Sequence, residues 1–388
     1  MQYLIWLSTT AGLPPQKCWA LLARFGSGKA VFERKTDELS HAVPLTYAEK
    51  LRLKKRDLAP AQRILAECER FHIRALPITD PFYPQRLKAI YDPPVVLYIR
   101  GELPDLNALP AIAIVGTRRC TPYGALAAEK LAFGLSQNGF VVVSGMAEGA
   151  DTAAHQGALR GGTPTVAVFG TAIDGCYPAC NGGLLRDILW HGAAVSEYPP
   201  GEKTGKGSFP HRNRIMSGLS LGVVVTEAPE KSGALITAGL ALDQGRDVFA
   251  VPGSIDAPGS MGTNELIQRG AKLVRSADDI LCEYQGVYRF SPQEQPLRAA
   301  QEPVAAVYQA KSAPKSAASQ DTLKATNFDA DPILAALESG PLPLDTLLER
   351  TQIRMGEALA QLTLLELKGR VRQLPGRVFE LIGTARHV

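Results

Sequence analysis

The sequence predicts an α/β protein built on a parallel sheet, and three observations support this. Short runs rich in Val and Ile alternate with helix-length segments between residues 86 and 284. The runs are apolar throughout, as expected for strands that are buried on both faces of a parallel sheet. Small and polar residues follow the runs at the points where a strand would turn into a helix.

The alternating elements can be placed in chain order. The predicted strands are Ile112–Val115, Phe140–Val143, Thr165–Phe169, Ala194–Ser196, Leu221–Thr226, Val248–Val251 and Lys272–Val274. The predicted helices between them cover residues 122–138, 151–160, 181–191, 233–244 and 263–270. Together they define a domain over residues 86–284.

Residues 1–85 are predicted to form a separate domain of helices and irregular segments. An apolar stretch from Cys18 to Leu22 follows Pro14 and Pro15 and closes at Gly26, which is typical of a short capped helix. Helix-hairpin-helix and sterile-alpha-motif modules share this pattern, and a small packing domain does so equally well.

The chain after residue 284 predicts a linker and a third domain. Residues 285–327 are rich in Ala, Ser, Pro, Gln and Lys without an apolar period, which predicts a flexible linker. In residues 328–388, short helices precede a longer one over Gly356–Lys368 and a hairpin over Arg370–Leu381. This order predicts a winged helix.

Composition narrows the class of protein. The 388 residues are 45% hydrophobic and 21% charged, an ordinary globular composition. The apolar runs are too short to cross a bilayer, and the first residues lack a signal-peptide pattern, so we expect a cytoplasmic protein without membrane contact. Six scattered cysteines indicate reduced thiols rather than a metal site, and we expect no bound metal and no cofactor.

The stretch from Phe209 to Ser220 carries the most chemical information. Three donor-rich side chains, Arg212, Asn213 and Arg214, follow an aromatic ring and precede a buried strand. They therefore belong to the rim of the sheet, where ligands of α/β proteins bind. Guanidinium groups beside a stacking ring suit single-stranded nucleic acid, whose bases are free to stack.

The turn after the first predicted strand supplies further candidates. Gly116 permits close approach of a ligand, Thr117 offers a hydroxyl, and Arg118 can contact phosphate. If the strand ends lie side by side, the basic residues of this edge converge, namely Arg118, Lys203, Lys206, Arg212 and Arg214.

Several sequence patterns typical of enzymes are incomplete in this chain. Residues 201–207 imitate a P-loop, but the spacing is one residue short and Gly207 replaces the hydroxyl that binds Mg²⁺. The turn from Ser144 to Asp151 resembles a phosphate-binding turn but lacks the dinucleotide fingerprint, and its acids Glu148 and Asp151 would repel phosphate. His155 and His211 lack an evident orienting partner, so structural roles are favoured.

Taken as an ordered set, these motifs resemble the DNA-processing protein A (DprA, or Smf) family. The matching stretches are Val115–Arg118, Ser144–Asp151 with His155, Tyr177-Pro178, Ser196–Gly201, Phe209–Ser220, Thr226–Ala228, Ser232–Ala238, Val251–Gly253 and Gly262–Asn264. The flanking regions resemble the family's sterile-alpha-motif-like and winged-helix domains. Two positions depart from its pattern, because Thr117 replaces a more usual serine and Ala179 replaces a frequent basic residue.

The resemblance implies an extended Rossmann fold and a homodimer that binds single-stranded DNA without catalysis. It also implies delivery of the strand to the recombinase RecA in natural transformation. The DNA-binding residues implied are Gly116, Thr117, Arg118, Lys206, Phe209, Arg212, Asn213 and Arg214. A second DNA contact is expected from Lys203 and from the wing residues Lys368, Arg370, Arg372 and Arg377.

Two other interpretations stay open at this point. Residues 258–265 resemble the phosphate loop of lysine-decarboxylase-like phosphoribohydrolases, although Glu265 falls one residue early. The protein could then be a nucleotide-processing hydrolase. Alternatively, the winged helix makes the main contact with duplex DNA, or it binds a protein partner.

Overall fold

A computed structural model describes residues 1–288, 332–337, 340–351, 370–374 and 378–381, with a few isolated positions between 353 and 366. The chain divides into two compact units, Met1–Ala300 and Gln301–Val388. The predicted linker 285–327 lies outside the described residues from 289 onward.

Within residues 1–288 the centre of the fold is a nine-stranded sheet in the order β1-β2-β6-β5-β4-β3-β7-β8-β9. Strands β3 to β9 run parallel, whereas β1 and β2 pair antiparallel at one edge. The strands are β1 Arg74–Pro77, β2 Val96–Gly101, β3 Ala111–Val115, β4 Val141–Ser144, β5 Thr165–Phe169, β6 Ala193–Ser196, β7 Gly222–Val225, β8 Asp247–Ala250 and β9 Lys272–Leu273. Every strand predicted from the sequence is present, and the α/β fold class is confirmed.

Helices precede the sheet and connect its strands. The helices before the parallel strands are α1 Gln2–Ile5, α2 Pro15–Phe25, α3 Gly28–Glu33, α4 Thr36–Ala42, α5 Tyr47–Lys54, α6 Ala59–Arg70 and α7 Gln85–Lys88. The connecting helices are α8 Pro122–Gln137, α9 Ala150–Gly161, α10 Gly182–His191, α11 Ser208–Leu219, α12 Gly233–Asp243, α13 Met261–Gln268 and α14 Asp278–Tyr284. A π-helical turn, Trp6–Thr10, continues α1.

The two faces of the sheet contribute to two hydrophobic clusters. Along β3, Ile112 and Ile114 pack with α8, α9 and α14, whereas Ala113 and Val115 belong to the cluster on the opposite face. This alternation follows from the two-residue period of a strand. The second cluster extends into the N-terminal helices through Trp6 and Leu21. Both faces are therefore covered, which leaves the strand ends as the place for a ligand.

The antiparallel edge differs from the sequence prediction. Residues 1–85 were expected to be helical and irregular, but β1 lies within them, and β2 was not predicted at all. The sequence signal of β2 is the apolar run after Pro93 and Pro94. Because both strands precede the βα alternation, the pattern that revealed the parallel strands could not reveal these two.

The C-terminal unit has its own core and a small sheet. It contains α15 Pro332–Leu337, α16 Leu344–Thr351 and the strands β10 Leu342–Pro343, β11 Val371–Leu374 and β12 Val378–Leu381, in the order β10-β12-β11. The predicted hairpin is present. One of the predicted short helices is α16, and it is preceded by Leu342 and Pro343, which pair with β12 as a short strand. Most of the predicted helix Gly356–Lys368 lies outside the described residues.

Candidate functional site

A groove of about 640 Å³ opens at the carboxyl edge of the sheet, beside the ends of β3 and β7. These neighbouring strands mark the point where the strand order reverses, since β4 to β6 lie on one side of β3 and β7 to β9 on the other. Open α/β sheets bind ligands at such a point. Of the eight predicted DNA-binding residues, seven line this groove, namely Gly116, Thr117, Arg118, Lys206, Phe209, Arg212 and Asn213.

The turn after β3 is held in a fixed shape. The Thr117 amide donates to the Glu227 carbonyl at 2.8 Å, and the Thr117 hydroxyl accepts from the Arg119 amide at 3.3 Å. A side chain at Gly116 would place its Cβ only 2.6 Å from that of Ala150, so the close packing of β3 on α9 requires glycine there. This turn presents the exposed Arg118 to the groove.

An aromatic and cationic cluster forms one wall of the groove. The Arg118 guanidinium lies 5.4 Å from the centre of the Phe209 ring, a cation–π distance. The Tyr177 ring lies 5.2 Å from the same ring, tilted by 47°, and Tyr177 is 51% exposed. Lys206, in the loop before α11, is exposed on the same groove. Two rings and two exposed cations thus lie together on the groove.

Arg212 supports the groove from beneath its surface. It is only 5% exposed, and its Nη1 donates to the Gly145 carbonyl at 2.8 Å and to the Val168 carbonyl. A Cβ on Gly145 would lie 2.5 Å from the guanidinium, so the turn after β4 is packed directly on Arg212. Burial lowers the pKa of Arg212 to about 10, although the charge of Asp151 opposes this shift. Arg212 is therefore a charged brace that ties together the ends of β4 and β5.

Asp151 completes this buried polar layer. Burial raises the pKa of the Asp151 carboxyl, although Arg212 and the hydrogen bond from the Ala147 amide oppose the shift. Asn213 is also buried, where it accepts a 3.3 Å hydrogen bond from Arg212 Nε and donates to the Gly233 carbonyl at 3.4 Å. These contacts connect α11 to the starts of α9 and α12.

Arg214 lies outside the groove. Its Nη2 is 2.6 Å from Glu197 Oε2, and its Nε forms an ion pair with Asp92 Oδ2 at 2.9 Å without hydrogen-bond alignment. The side chain is 4% exposed, and Nη2 also lies 3.0 Å from His211 Nε2, which is itself 3.4 Å from Glu197 Oε2. Burial acts to raise the pKa of Glu197, but His211 and Arg214 outweigh it and lower that pKa overall. Arg214 anchors α11 from the opposite side.

The second set of predicted basic residues belongs to different parts of the chain, and only some of its members are described. Lys203 is exposed but does not line the groove. In the wing, Arg370 is exposed, and the Arg372 Nε donates to Glu380 at 2.8 Å, so an acid lies among these cations. Lys368 and Arg377 lie outside the described residues.

Sequence reasoning overlooked three residues that line the groove. Tyr177 entered the sequence prediction only within the Tyr177-Pro178 stretch that resembles the family, and its ring was not connected with Phe209. Lys231 and Arg119 add two exposed cations. Both follow strands that end at this edge, after β7 and β3, so their positions along the chain were the available signal.

The electrostatics of the groove favour an anion at its surface. Within the described part of the chain, no carboxylate lies within 4 Å of the charged atoms of Arg118, Arg119, Lys206 or Lys231. The same part contains no group of three His, Cys, Asp or Glu side chains arranged to hold a metal ion. Four free cations around two rings can bind phosphates and stack bases.

The loop that suggested a hydrolase lies elsewhere. Glu265 is on α13, where its carboxylate pairs with Arg269 at 2.5 Å. It lines a different surface cavity, beside Leu235 and Phe249, and not the groove. The arrangement therefore gives no support to Glu265 as a catalytic group of the groove.

Comparison with known proteins identifies the family. Residues 74–285 match the family model of DNA recombination-mediator protein A. The chain belongs to this family. Residues 314–377 match the family's winged-helix domain, as the order of elements predicted.

Several family members are similar over long stretches. DNA processing protein DprA of Streptococcus pneumoniae is 50% identical over 208 residues, which cover 54% of this chain and 73% of that protein. Protein Smf of a Synechocystis strain is 36% identical over 342 residues, 86% of each chain.

Solved structures of the family agree with the fold. The X-ray structure of DNA processing protein A from S. pneumoniae superimposes with a TM-score of 0.66 at 39% identity, covering 73% of this chain and 98% of that one. A structure of the Helicobacter pylori protein, described as binding single-stranded DNA, gives a TM-score of 0.51 at 33% identity over 56% of this chain and 98% of that one. In the described residues of the present protein, no helix has the length and apolar character needed to traverse a lipid bilayer.

Proposed function

We propose that the groove between the ends of β3 and β7 binds single-stranded DNA. The observation that carries this proposal is the clustering of Arg118, Lys206, Phe209 and Tyr177 at one edge of the sheet. Cations neutralise phosphates and release counterions, which supplies affinity for any sequence. Rings stack on bases, which requires that the bases be unpaired.

The buried layer beneath the groove supports rigid presentation of these groups. Arg212 fixes the turn after β4, and Thr117 fixes the turn after β3. A preorganised surface loses less conformational entropy on binding. The similarity to the H. pylori protein, which is described as binding single-stranded DNA, supports the same activity.

We propose further that binding here is not catalytic. Two titratable groups buried beneath the groove, His155 and Asp151, are engaged within the fold. His155 is fully buried with its pKa lowered to about 3 by burial and by Arg212, and Asp151 accepts the Ala147 amide. A group that cannot reach a ligand cannot transfer a proton to it.

The role in recombination is proposed from the family. Its description as a recombination mediator is consistent with loading of a RecA-type recombinase onto the bound strand in natural transformation. A homodimer would use the surface around α12, α13 and β9, where Ile236, Leu242, Met261 and Leu273 are exposed. Light scattering on the full chain tests the dimer. Strand exchange by RecA on DNA coated with a single-strand binding protein, with and without this protein, tests the loading.

Fluorescence anisotropy with single-stranded and duplex oligonucleotides tests the binding itself. The Arg118→Ala and Lys206→Ala changes should each weaken single-strand binding roughly 10- to 100-fold, since hydrogen bonds to charged groups contribute about 1.5–3 kcal/mol. Each should also reduce the slope of log affinity against log salt by about 0.7. Lys130→Ala is the matched control, because Lys130 is exposed on α8 and does not line the groove. Equal affinity for duplex and single strands, unchanged by both variants, would refute the proposal.

A further inference from the structure

Beside the groove lies a smaller cavity of about 200 Å³ that shares its aromatic wall. Tyr177 and Phe209 line it together with Arg118 and Arg119, and Glu148 lines it from the turn after β4. The cavity is smaller than the roughly 300–1,000 Å³ of pockets for drug-sized ligands. A space of this size beside two rings suits a single flat ring system, such as one nucleobase.

Glu148 is an acidic residue in a cavity that is otherwise lined by arginines, aromatic rings and small residues. Its side chain is exposed, and its Oε1 lies 3.7 Å from the Cys180 thiol, a weak contact. No Lys, Arg or His side chain in the described ranges lies within 4 Å of its carboxylate. An unpaired carboxylate in a cavity that three arginines also line would repel a phosphate, so its position needs another explanation.

We infer that this cavity is a base-recognition subsite in which Glu148 accepts hydrogen bonds from a nucleobase that stacks on Tyr177. The inference rests on the proposed binding of single-stranded DNA. An ionised carboxylate only accepts hydrogen bonds. It therefore pairs with a base that carries an exocyclic amino group, as Glu and Asp do with cytosine N4.

A carboxylate at this place in the cavity disfavours bases that present an oxygen to it instead of an amino group. Thymine and uracil carry an O4 acceptor where cytosine has its amino group, and two acceptors facing each other repel. Tyr177 is 51% exposed, whereas Phe209 is half-buried and the Arg118 guanidinium also lies on its ring. Tyr177 thus supplies the stacking face and Glu148 the discrimination.

Oligodeoxycytidine and oligodeoxyuridine of equal length, roughly 15 nucleotides, form the matched pair of probes. Cytosine and uracil have the same ring and no methyl group, and they differ at position 4 and in the proton on N3. Anisotropy titrations of the full-length protein should give at least about fivefold tighter binding of the cytidine oligomer. The Glu148→Ala variant should bind the uridine oligomer more tightly, because a repelling charge is gone, and the ratio of the two affinities should fall to about one.

Glu230→Ala serves as the charge-matched control. Glu230 is exposed in the loop between β7 and α12, and it does not line either cavity. Removal of the Glu230 charge should increase the affinity for both oligomers and leave the ratio of the two affinities unchanged. Tyr177→Phe should preserve the preference for the cytidine oligomer. Tyr177→Ala should weaken the binding of both oligomers, since the stacking face is lost.

The outcomes separate the two proposals. Binding of both oligomers with equal affinity by the unmodified protein, or a cytidine preference that persists in Glu148→Ala, overturns the subsite and leaves the proposed function intact. Failure of the unmodified protein to bind either oligomer overturns the proposed function, and the subsite with it. Thermal unfolding of each variant shows whether a change in binding comes from a change in folding.

Discussion

Single residues of one short motif serve different purposes in this protein. Arg212 and Arg214 are two positions apart on α11, which turns by about 100° per residue, so their side chains leave the helix on nearly opposite sides. Arg212 accordingly reaches Gly145, and Arg214 reaches Glu197. The residue types were evident from the sequence. Their separation was evident too once the helix was placed, but only the structure shows that both guanidinium groups are buried.

Burial distinguishes Arg212 from Arg118 in a way that experiment can detect. Arg212→Ala leaves the Gly145 and Val168 carbonyls without their donor and removes the charge that faces Asp151. We expect a loss of roughly 2–4 kcal/mol in the free energy of unfolding, measured by chemical denaturation. Arg118→Ala should change that free energy by less than about 0.5 kcal/mol, because Arg118 is exposed. Similar stability of both variants would contradict the bracing role.

His155 should make the protein sensitive to acid. The Thr165 hydroxyl donates to the Val142 carbonyl at 2.7 Å, so it accepts from His155 Nδ1 at 2.8 Å, which leaves Nε2 without a proton or a partner. Protonation there would bury a second charge near Arg212, which explains a folded-state pKa of about 3 against 6.5 in the unfolded chain. Between these values the unfolded state holds the extra proton, so stability falls as the pH falls.

The size of this loss of stability follows from the linkage between proton binding and folding. Lowering the pH from 6.5 toward 5 should cost about 2 kcal/mol through His155 alone, at about 1.4 kcal/mol per pH unit. A His155→Leu variant should lose this component of the slope, although its stability at neutral pH falls with the Thr165 contact. Denaturation curves at several pH values measure both slopes, and parallel slopes would contradict the assignment.

At the scale of elements, α11 is the part on which the site depends. One side carries Phe209 and Arg212 to the groove, and the other is tied by Arg214 to Asp92 and Glu197. The helix also buries Ile215 and Leu219 against the core. The position of the groove is therefore determined by contacts on the far side of the helix.

Removing that anchor should affect folding more than binding. Arg214→Gln leaves the partly buried carboxylates of Glu197 and Asp92 without their arginine partner, and we expect a loss of roughly 3–5 kcal/mol in the free energy of unfolding. The folded-state pKa of Glu197 is below 4.5, so the unmodified protein gains this stability above about pH 4.5 and loses it in acid. The stability difference between variant and parent should thus be largest near pH 7 and narrow below pH 4.5. A difference independent of pH would argue against the ion pair.

The elements also show how far the sequence could be interpreted. The central parallel strands were predictable because they are continuous apolar runs, as strand β5 illustrates with Thr165–Phe169 predicted and found at the same bounds. Strand β1 was not, since only Leu76 of its four residues is fully buried and an edge strand lacks that pattern. The groove could be inferred from residues after β3 and before β7. Tyr177 could not, because its role depends on a distance to Phe209 that the chain order does not reveal.

At the scale of the whole molecule, the candidate site belongs to one unit. All groove residues lie between Val115 and Thr237, within Met1–Ala300. The C-terminal unit has a core of its own, built around Ile333, Leu347 and Phe379. Since each unit has a core of its own among the described residues, we expect the two units to contribute separable activities.

Deletion of residues 328–388 tests this separation. The groove keeps every lining residue, so affinity for single-stranded oligonucleotides should stay within about threefold of the full chain, a change of roughly 0.7 kcal/mol. Duplex affinity is the informative measurement, because Arg370 is exposed beside the hairpin whereas Arg372 is paired with Glu380. Loss of duplex binding alone would assign a duplex contact to the winged helix, and unchanged duplex binding would favour a protein partner for it. A large loss of affinity for single strands would mean that the groove needs the C-terminal unit, and it would contradict the expectation that the two units act separately.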